Sequence, residues 1–227
     1  MIESLGQIDS EILLFFNSMH NAYFDEFFRL ATGRFIWIPF YAVLLAILIK
    51  KEGIRRTVVW AVGIAMSITL ADQICATLIR PEVARLRPSN LENPLSAMIH
   101  VVNGYRGGPY GFPSCHGANT WALVMFLCPV IRSRRFTIVM VIWAIINCYS
   151  RMYLGVHYPG DLLAGAVIGG AAGYLMQMLS RYVIATMKLN LPDGKENNQA
   201  VADNLSIWGG AIMIGIIAAI AAFMATV

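Results

Sequence analysis

The sequence has few charged residues and few cysteines for its length. Asp, Glu, Lys and Arg make up 13% of the 227 residues, about half the share in an average soluble domain. So little polar surface cannot cover a globule that is exposed to water on all sides, and the composition also excludes a disordered chain. The 4 cysteines form no Cys-x-x-Cys pair, so they are interpreted as small buried residues rather than as a disulfide framework.

Apolar residues are abundant instead, at 58% of the sequence with a mean hydropathy of +0.62. An integral membrane protein is predicted, because a span needs roughly 20 apolar residues and the chain has several such runs. The predicted spans lie at about 35–49, 57–79, 117–131, 136–149, 162–179 and 206–227. The fold class is therefore an all-α polytopic transmembrane helix bundle of about six spans, with residues 1–227 as one domain.

The N-terminal segment, residues 1–34, is predicted to form an amphipathic helix that lies along the membrane interface. Between residues 8 and 30 apolar side chains recur every three or four positions, with acidic residues on the other side. Because these acidic residues interrupt the apolar stretch, we expect no cleavable signal peptide. A polar segment at 190–204 is predicted as a loop before the last span.

Basic residues indicate the orientation of the bundle. If successive spans alternate in direction, ten lysines and arginines fall on one side, which the positive-inside rule assigns to the cytoplasm. They are Lys50, Lys51, Arg55, Arg56, Arg132, Arg134, Arg135, Arg181, Lys188 and Lys195. Five more arginines fall on the opposite side, where topology gives no reason for them: Arg80, Arg85, Arg87, Arg106 and Arg151.

The first distinctive cluster lies where the second predicted span leaves the membrane. Arg80, Arg85 and Arg87 stand close together there, and Pro81 and Pro88 interrupt the helix. The arginines either snorkel to lipid head groups or bind an anion, for which planar guanidinium groups are well suited.

The second cluster opens the third span with Pro-Ser-Cys-His at residues 113–116. A Pro-Ser turn that enters a helix presents free backbone N–H groups to an anion. Alternatively, Ser114 caps the helix and His116 is an interface histidine. Thiol-phosphatase chemistry at Cys115 is not supported, because no arginine follows it until Arg132.

The third cluster opens the fifth span. Asp161 follows His157 by four residues, so on a helix its carboxylate accepts the imidazole N–H and fixes the tautomer. The other ring nitrogen can then act as a nucleophile or base, although a purely structural His–Asp cap is the alternative. Within the second span, Asp72 is interpreted either as an interhelical hydrogen-bond partner or as a support for the site.

Together the three clusters place two histidines, a serine and several arginines on one side of the membrane. They provide a nucleophile, an acid and an anion cradle, which are the parts needed for phosphoryl transfer. Since the sequence has no cluster with metal-ligand spacing, neither a metal nor another cofactor is predicted.

At these residues the sequence resembles the type 2 phosphatidic acid phosphatase family, which includes bacterial membrane lipid phosphatases and, more distantly, vanadium haloperoxidases. The family pattern is Lys-x6-Arg-Pro, then Pro-Ser-Gly-His, then Ser-Arg-x5-His-x3-Asp. Arg80 to Pro88 matches the first with arginine for lysine, and residues 113–116 match the second with cysteine for glycine. Residues 150–161 match the third fully.

The resemblance implies that His157 attacks phosphorus to form a phosphohistidine, that Asp161 orients it, and that His116 protonates the leaving oxygen and later activates water. The residues implied in phosphate binding are Arg80, Arg87, Ser114, Cys115 and Arg151. Arginine at position 80 replaces the compact ammonium group of lysine by a planar guanidinium group with several donors. Cysteine at position 115 places a thiol beside the phosphate.

The sequence therefore predicts metal-independent removal of phosphate from a lipid phosphate or diphosphate. The predicted location is the inner membrane, with the site facing the periplasm or cell exterior. Lipid A and undecaprenyl diphosphate are the favoured substrates, and phosphatidylglycerophosphate and phosphatidic acid are the alternatives. Residues 95–112 are predicted to recognise the head group or to form a flexible lid. A non-catalytic lipid-phosphate transporter or binding protein is the non-enzymatic alternative, and neither nucleic acid nor an obligate protein partner is implied.

Overall fold

A computed structural model describes residues 2–33, 35–190 and 199–226, mostly as helices. In chain order these are α1 (Ile2–Asn17), α2 (Ala22–Ala31), α3 (Ile38–Gln73), a π-helical segment (Ile74–Ile79), α4 (Arg80–Val83), α5 (Cys115–Ile131), α6 (Arg134–Tyr153), α7 (Pro159–Thr186) and α8 (Gln199–Met224). Two short 3-10 helices, Pro94–Met98 and Val102–Gly104, lie between α4 and α5. The predicted helical fold class is confirmed.

Helix α3 folds back on itself at Gly53. This residue has a φ of 76° and a ψ of 160°, a conformation that glycine adopts far more easily than other residues. Trp37 and Asp72 line the same cavity, although a straight helix would hold them about 52 Å apart. The two halves of α3, 38–52 and 54–73, therefore lie side by side and correspond to the first two predicted spans.

Within the described residues, four helices are long and apolar enough to cross a membrane: Ile38–Val83, Arg134–Tyr153, Pro159–Thr186 and Ala200–Met224. The segment Cys115–Ile131 is a shorter apolar helix. The first of the four has 46 residues, which in a straight helix would measure about 69 Å, more than twice the hydrocarbon core of a bilayer. A multi-pass membrane protein is thus confirmed, while the total of six spans stays a prediction.

The N-terminal segment contains two helices where the sequence suggested one. The chain turns after α1, and the side chain of Asn21 caps α2 by accepting a hydrogen bond from the Phe24 N–H at 2.9 Å. Helix α1 contacts α6 and α7, and α2 contacts α6 and α8, with Leu13 and Ala31 fully buried. Their location at the membrane interface stays a prediction. Of the predicted loop at 190–204, residues 191–198 lie outside the described residues, and α8 already begins at Gln199.

Helices α5 and α7 approach each other very closely along a row of glycines. Gly165, Gly169 and Gly173 recur every four residues on α7, and a Cβ at any of them would overlap a backbone carbonyl oxygen of the second cluster or of α5. The contacts are Gly165 with Ser114, Gly169 with Ala118, and Gly173 with Ala122. Small residues at this spacing let helix backbones pack tightly in membranes. This register brings the beginnings of α5 and α7 to the same end of the bundle.

The basic connections meet at the other end. Lys51 donates a hydrogen bond to the carbonyl of Ile131, and Arg132 and Arg181 line one surface groove. Helix α5 runs from the second cluster to Ile131, so the two ends are about 24 Å apart. The structure therefore separates the basic connections from the three clusters, as predicted; Lys195 lies outside the described residues.

Candidate active site

The three clusters surround a cavity of about 520 Å³ at the end of the bundle opposite the basic connections. Six of the predicted site residues line it, namely Arg80, Arg87, Cys115, His116, Arg151 and His157. Residues that are up to 77 positions apart in the sequence therefore line the same cavity. Ser114 and Asp161 lie behind the wall, where both are fully buried.

His157 is held between a carboxylate and a guanidinium. Its Nδ1 lies 3.3 Å from Oδ2 of Asp161, and its Nε2 lies 2.8 Å from an Nη of Arg87. A guanidinium group only donates hydrogen bonds, so Nε2 accepts and the ring proton is on Nδ1, facing Asp161. The lone pair of Nε2 therefore faces Arg87, which itself lines the cavity, and an attack on phosphorus requires Arg87 to transfer its donor to the phosphate.

Asp161 is itself fixed on both carboxylate oxygens. Oδ2 accepts from the backbone N–H of Tyr158 at 3.0 Å, and Oδ1 accepts from Arg85 at 3.0 Å. Arg85 also pairs with Asp9 of α1 at 2.7 Å. Arg85 and Asp9 are not among the predicted site residues. Arg85 could have been found from its cluster of arginines, whereas no motif marks Asp9.

The surroundings of His157 favour the neutral ring. Burial, followed by the positive charges of Arg87, Arg151 and Arg80, holds the pKa of His157 well below its ordinary value of 6.5. Burial also lowers the pKa of Arg87 to about 10, which leaves this guanidinium protonated at neutral pH. A neutral imidazole has a lone pair that can attack once Arg87 donates to an anion instead, and the charged arginines provide the site for that anion.

Four arginines line the cavity, namely Arg29, Arg80, Arg87 and Arg151, and three of them have a buried donor without a partner among the described residues. The Nε atoms of Arg80, Arg87 and Arg151 are buried with no hydrogen-bond partner among the described residues. A buried donor without a partner is costly, and an anion with several oxygens can satisfy it. In the same described ranges, His, Cys, Asp and Glu side chains form no group of three that could hold a metal ion. The geometry fits a phosphate group held by guanidinium groups.

The two departures from the family pattern contact each other. An Nη of Arg80 lies 2.9 Å from the sulfur of Cys115 and 2.8 Å from the carbonyl oxygen of Pro113. The guanidinium group of Arg80 therefore donates hydrogen bonds to the second cluster, and Arg80 also lines the cavity. Arg80 and Cys115 are therefore in direct contact. Comparing each position separately with the family pattern does not reveal this contact.

His116 lies on the first turn of α5 and meets the N-terminal segment. Its Nε2 is 3.4 Å from the hydroxyl of Thr32, which also accepts a hydrogen bond from Arg151 at 2.7 Å. Thr32 follows α2, far from every motif, and sequence reasoning missed it for that reason. The hydroxyl of Ser114 accepts from the N–H of Gly117 at 3.3 Å and caps α5, so the structure does not bring it to the cavity wall.

The segment between α4 and α5 closes over His157. Residues 85–87 and 109–111 pair in antiparallel fashion, through bonds from Gly111 N to Arg85 O and from Arg87 N to Pro109 O. A Cβ on Gly111 would lie 2.9 Å from Oδ2 of Asp161, so only glycine fits without a shift. Within the predicted recognition segment 95–112, the residues that line the cavity are Val102, Asn103 and Tyr105.

Comparison with known proteins agrees with the predicted family. Residues 60–184 match the family model of the PAP2 superfamily. The chain is 47% identical over 192 residues to the lipid A 4'-phosphatase of Bacteroides thetaiotaomicron, and the alignment covers 85% of each chain. It is 27% identical to the lipid A 4'-phosphatase of Porphyromonas gingivalis, with 80% of this chain and 76% of the relative covered.

A more distant relative is the undecaprenyl-diphosphatase of Bacillus subtilis, at 28% identity over 70% of this chain and 76% of the relative. No solved structure matches the chain significantly. The family match spans more than half of the chain, and the chain therefore belongs to the PAP2 superfamily. The resemblance predicted from the three clusters is confirmed.

Proposed function

We propose that this protein is an envelope lipid phosphatase that removes the 4'-phosphate of lipid A. The relative with 47% identity over 85% of both chains carries that name, whereas the named undecaprenyl-diphosphatases are only 28% identical. The observation that carries the chemistry is the position of His157, whose Nε2 faces Arg87 in a cavity lined by arginines. The predicted class of enzyme, a phosphatase acting on lipids, agrees with the names of these relatives.

In the proposed reaction, the phosphate oxygens accept hydrogen bonds from the cavity arginines. Arg87 then donates to the phosphate instead of to Nε2 of His157. The Nε2 lone pair attacks phosphorus as the bond to the sugar oxygen breaks, and His116 gives a proton to that oxygen. The Nδ1 proton of His157 stays hydrogen-bonded to Asp161, whose charge offsets the positive ring. Charge on the transferring group is stabilised by the arginines.

The phosphohistidine is then hydrolysed. His116, which has lost its proton, removes one from a water molecule, and the resulting oxygen attacks phosphorus. The P–N bond breaks, its electron pair returns to Nε2 of His157, and inorganic phosphate leaves the cavity. Both histidines end in their starting states, so the chain completes a cycle with water as the only co-reactant.

The proposed location is the inner membrane, with the cavity facing the periplasm. The basic connections lie at the end of the bundle opposite the cavity, and basic connections are typically cytoplasmic. In this orientation the phosphate of a lipid in the outer leaflet reaches the cavity, and we expect Asn103 and Tyr105 to contact its head group.

The second candidate function is undecaprenyl-diphosphate hydrolysis, which the relatives from Sulfolobus acidocaldarius and Bacillus subtilis favour. A phosphate cradle of arginines is compatible with either lipid, because it binds the group that both share. The non-catalytic alternative, a lipid-phosphate transporter or binding protein, gives no reason for the fixed tautomer of His157.

A substrate panel tests the proposal. Purified protein in detergent, with a chelator present, is given lipid A with phosphates at positions 1 and 4', undecaprenyl diphosphate, phosphatidylglycerophosphate and phosphatidic acid. We expect loss of the 4'-phosphate from lipid A, seen by mass spectrometry and phosphorus NMR, and no loss with His157→Ala. Faster hydrolysis of undecaprenyl diphosphate would favour the second candidate. Absence of phosphate release from every lipid would favour the non-catalytic alternative.

A further inference from the structure

A second cavity continues from the phosphate site into the part of the bundle between the long apolar helices. It has a volume of about 740 Å³ and shares Thr32, Gly33, Cys115 and His116 with the first cavity. Its wall is formed by both halves of α3 together with α5 and α6. Most of this wall is apolar, and Tyr41, Leu44, Leu48, Ile64, Leu123 and Leu127 are representative. The volume lies in the range of sites that enclose a large part of a ligand.

Asp72 and Asn119 form a polar pair in this wall, which also includes the polar residues Thr120 and Asn147. The side-chain amide of Asn119 donates to Oδ1 of Asp72 at 3.2 Å, and both residues line the cavity. The amide oxygen of Asn119 is buried with no hydrogen-bond partner among the described residues. Ionisable residues within membrane segments are costly, and they typically face a cavity where they serve a function. The phosphate chemistry uses neither residue.

The position of the pair restricts what it can contact. Asn119 lies three residues after His116 on α5, so it is on the same helix face and about one turn further into the membrane. If the phosphate of a lipid lies beside His116, the part of the lipid chain next to the head group therefore lies beside Asp72 and Asn119. The far end of the chain lies deeper, against the apolar wall.

We propose that the second cavity holds one acyl chain of the substrate and that Asp72 and Asn119 recognise a hydroxyl group near the head-group end of that chain. The inference rests on the proposed function and deepens it. A hydroxyl on the third carbon of an acyl chain donates to the carboxylate of Asp72 or to the amide oxygen of Asn119. The pair then selects hydroxyacyl lipids over isoprenoid lipids.

The selectivity follows from the partners that each chain offers. An isoprenoid chain has no hydrogen-bond donor, so it places apolar surface against the carboxylate of Asp72 and leaves the amide oxygen of Asn119 without a partner. Sites built to bind a substrate hydroxyl discriminate against analogues that lack it, because their own polar groups are then left unpaired. A purely apolar cavity would accept both kinds of chain.

A matched pair of synthetic lipids tests the inference. Both are acylated glucosamine 4-phosphates, one with a 3-hydroxytetradecanoyl chain and the other with a tetradecanoyl chain. For the native protein we expect kcat/KM to be about tenfold or more higher with the hydroxylated lipid, as one hydrogen bond to a charged group provides. With Asp72→Ala or Asn119→Ala we expect the ratio of the two values to fall close to one. Gln73→Ala, at the exposed neighbour of Asp72, is the control and should keep the native ratio.

The outcomes separate the inference from the proposed function. Equal kcat/KM for both lipids in the native protein would overturn the inference and leave the phosphatase intact. A loss of activity in the variants with an unchanged ratio would also overturn it, because the pair would then act by positioning His116. If the native protein hydrolysed undecaprenyl diphosphate but neither glucosamine lipid, the proposed function itself would fail.

Discussion

At the scale of single residues, Arg87 is placed to act on both reacting groups of the proposed mechanism, the imidazole of His157 and the phosphate. Arg87 touches Nε2 of His157 and also carries a buried Nε that has no partner among the described residues. Before phosphate binds, its charge favours the neutral ring. In the proposed reaction, bound phosphate offsets that charge, and the positive ring of the phosphohistidine becomes easier to form. The proposed mechanism therefore couples phosphate binding to activation of His157 through the side chain of Arg87.

Removing the charge of Arg87 should change the pH dependence of the reaction. After burial, Arg87 is the largest cause of the low pKa of His157, so Arg87→Gln raises that pKa. The ring attacks only when neutral, and the acidic limb of the kcat/KM profile should therefore move to higher pH. We also expect kcat/KM to fall about a hundredfold, because a phosphate donor is lost.

Arg106→Gln is the control for this experiment. Its guanidinium bonds to the carbonyl oxygen of Ser89 at 2.6 Å and holds the loop instead of facing His157. The acidic limb should stay at the native position in this variant. If the limb of Arg87→Gln also stayed in place, the electrostatic account of His157 would be wrong.

Arg80 and Cys115 should behave as a coupled pair. Because they contact each other at 2.9 Å, restoring the family residue at only one position disrupts that contact while the other departure remains. We expect Arg80→Lys and Cys115→Gly each to lower kcat/KM, and the double variant to lose less than the two single losses combined. Coupling energies of about 0.5–3 kcal/mol are typical of residues in contact. Strictly additive losses in phosphate release would contradict the coupling.

The site residues differ in how far the sequence could reveal them. The histidines and arginines of the three clusters stand in fixed spacings, so their common location was predictable. Ser114 was predicted to bind phosphate through its side chain or to cap α5, and the structure shows its hydroxyl in the second role. Thr32 and Asp9 reach the site only because α1 and α2 fold against α6 and α7, and no local pattern encodes that packing.

At the scale of helices, the observed helix boundaries differ from those predicted from length and hydropathy. The first two spans were predicted with a basic connection between them, yet helix continues through Lys50 and Lys51 up to the turn at Gly53. Lysine and arginine are good helix formers, so only the glycine ends the first half. Of the other short predicted spans, 136–149 extends to Arg134–Tyr153, because polar residues at its ends still continue the helix, whereas 117–131 gains only two residues, Cys115 and His116.

The glycine row of α7 gives a prediction with an internal control. A Cβ at Gly169 overlaps the carbonyl oxygen of Ala118, whereas at Gly170 it meets only Cγ of Met125 at 3.4 Å. We expect Gly169→Ala to destabilise the protein by about 1–3 kcal/mol, as overpacking does, and to lower phosphate release. Gly170→Ala should match the native protein in thermal unfolding in detergent. Equal stability of the two variants would contradict the close approach of α5 and α7.

At the scale of the whole molecule, the charged residues are concentrated at the two ends of the helix bundle. One end carries the basic connections, and the other carries the cavity, its arginines and the acidic residues that pair with Arg85. The separation was predictable, because alternating spans and the positive-inside rule need only the sequence. The second cavity was not predictable, because it depends on how both halves of α3 pack against α5 and α6.

Labelling of single cysteines tests the orientation. In a chain whose native cysteines, Cys75, Cys115, Cys128 and Cys148, are replaced by alanine, we place Leu91→Cys in the segment between α4 and α5 and Arg135→Cys at the basic end. Leu91 is 77% exposed. A membrane-impermeant maleimide should label Leu91→Cys in spheroplasts and Arg135→Cys only after lysis. The opposite labelling would place the site in the cytoplasm and contradict the proposed location.

The central claim is that His157 carries the phosphoryl group, and trapping that intermediate tests it most directly. Native protein is mixed with lipid A that carries radiolabelled phosphate, quenched in base within one turnover, digested and mapped. We predict an acid-labile, base-stable label on the peptide that contains His157, and no label with His157→Ala. A label on Cys115, or turnover of lipid A with no labelled protein at any time, would contradict the account.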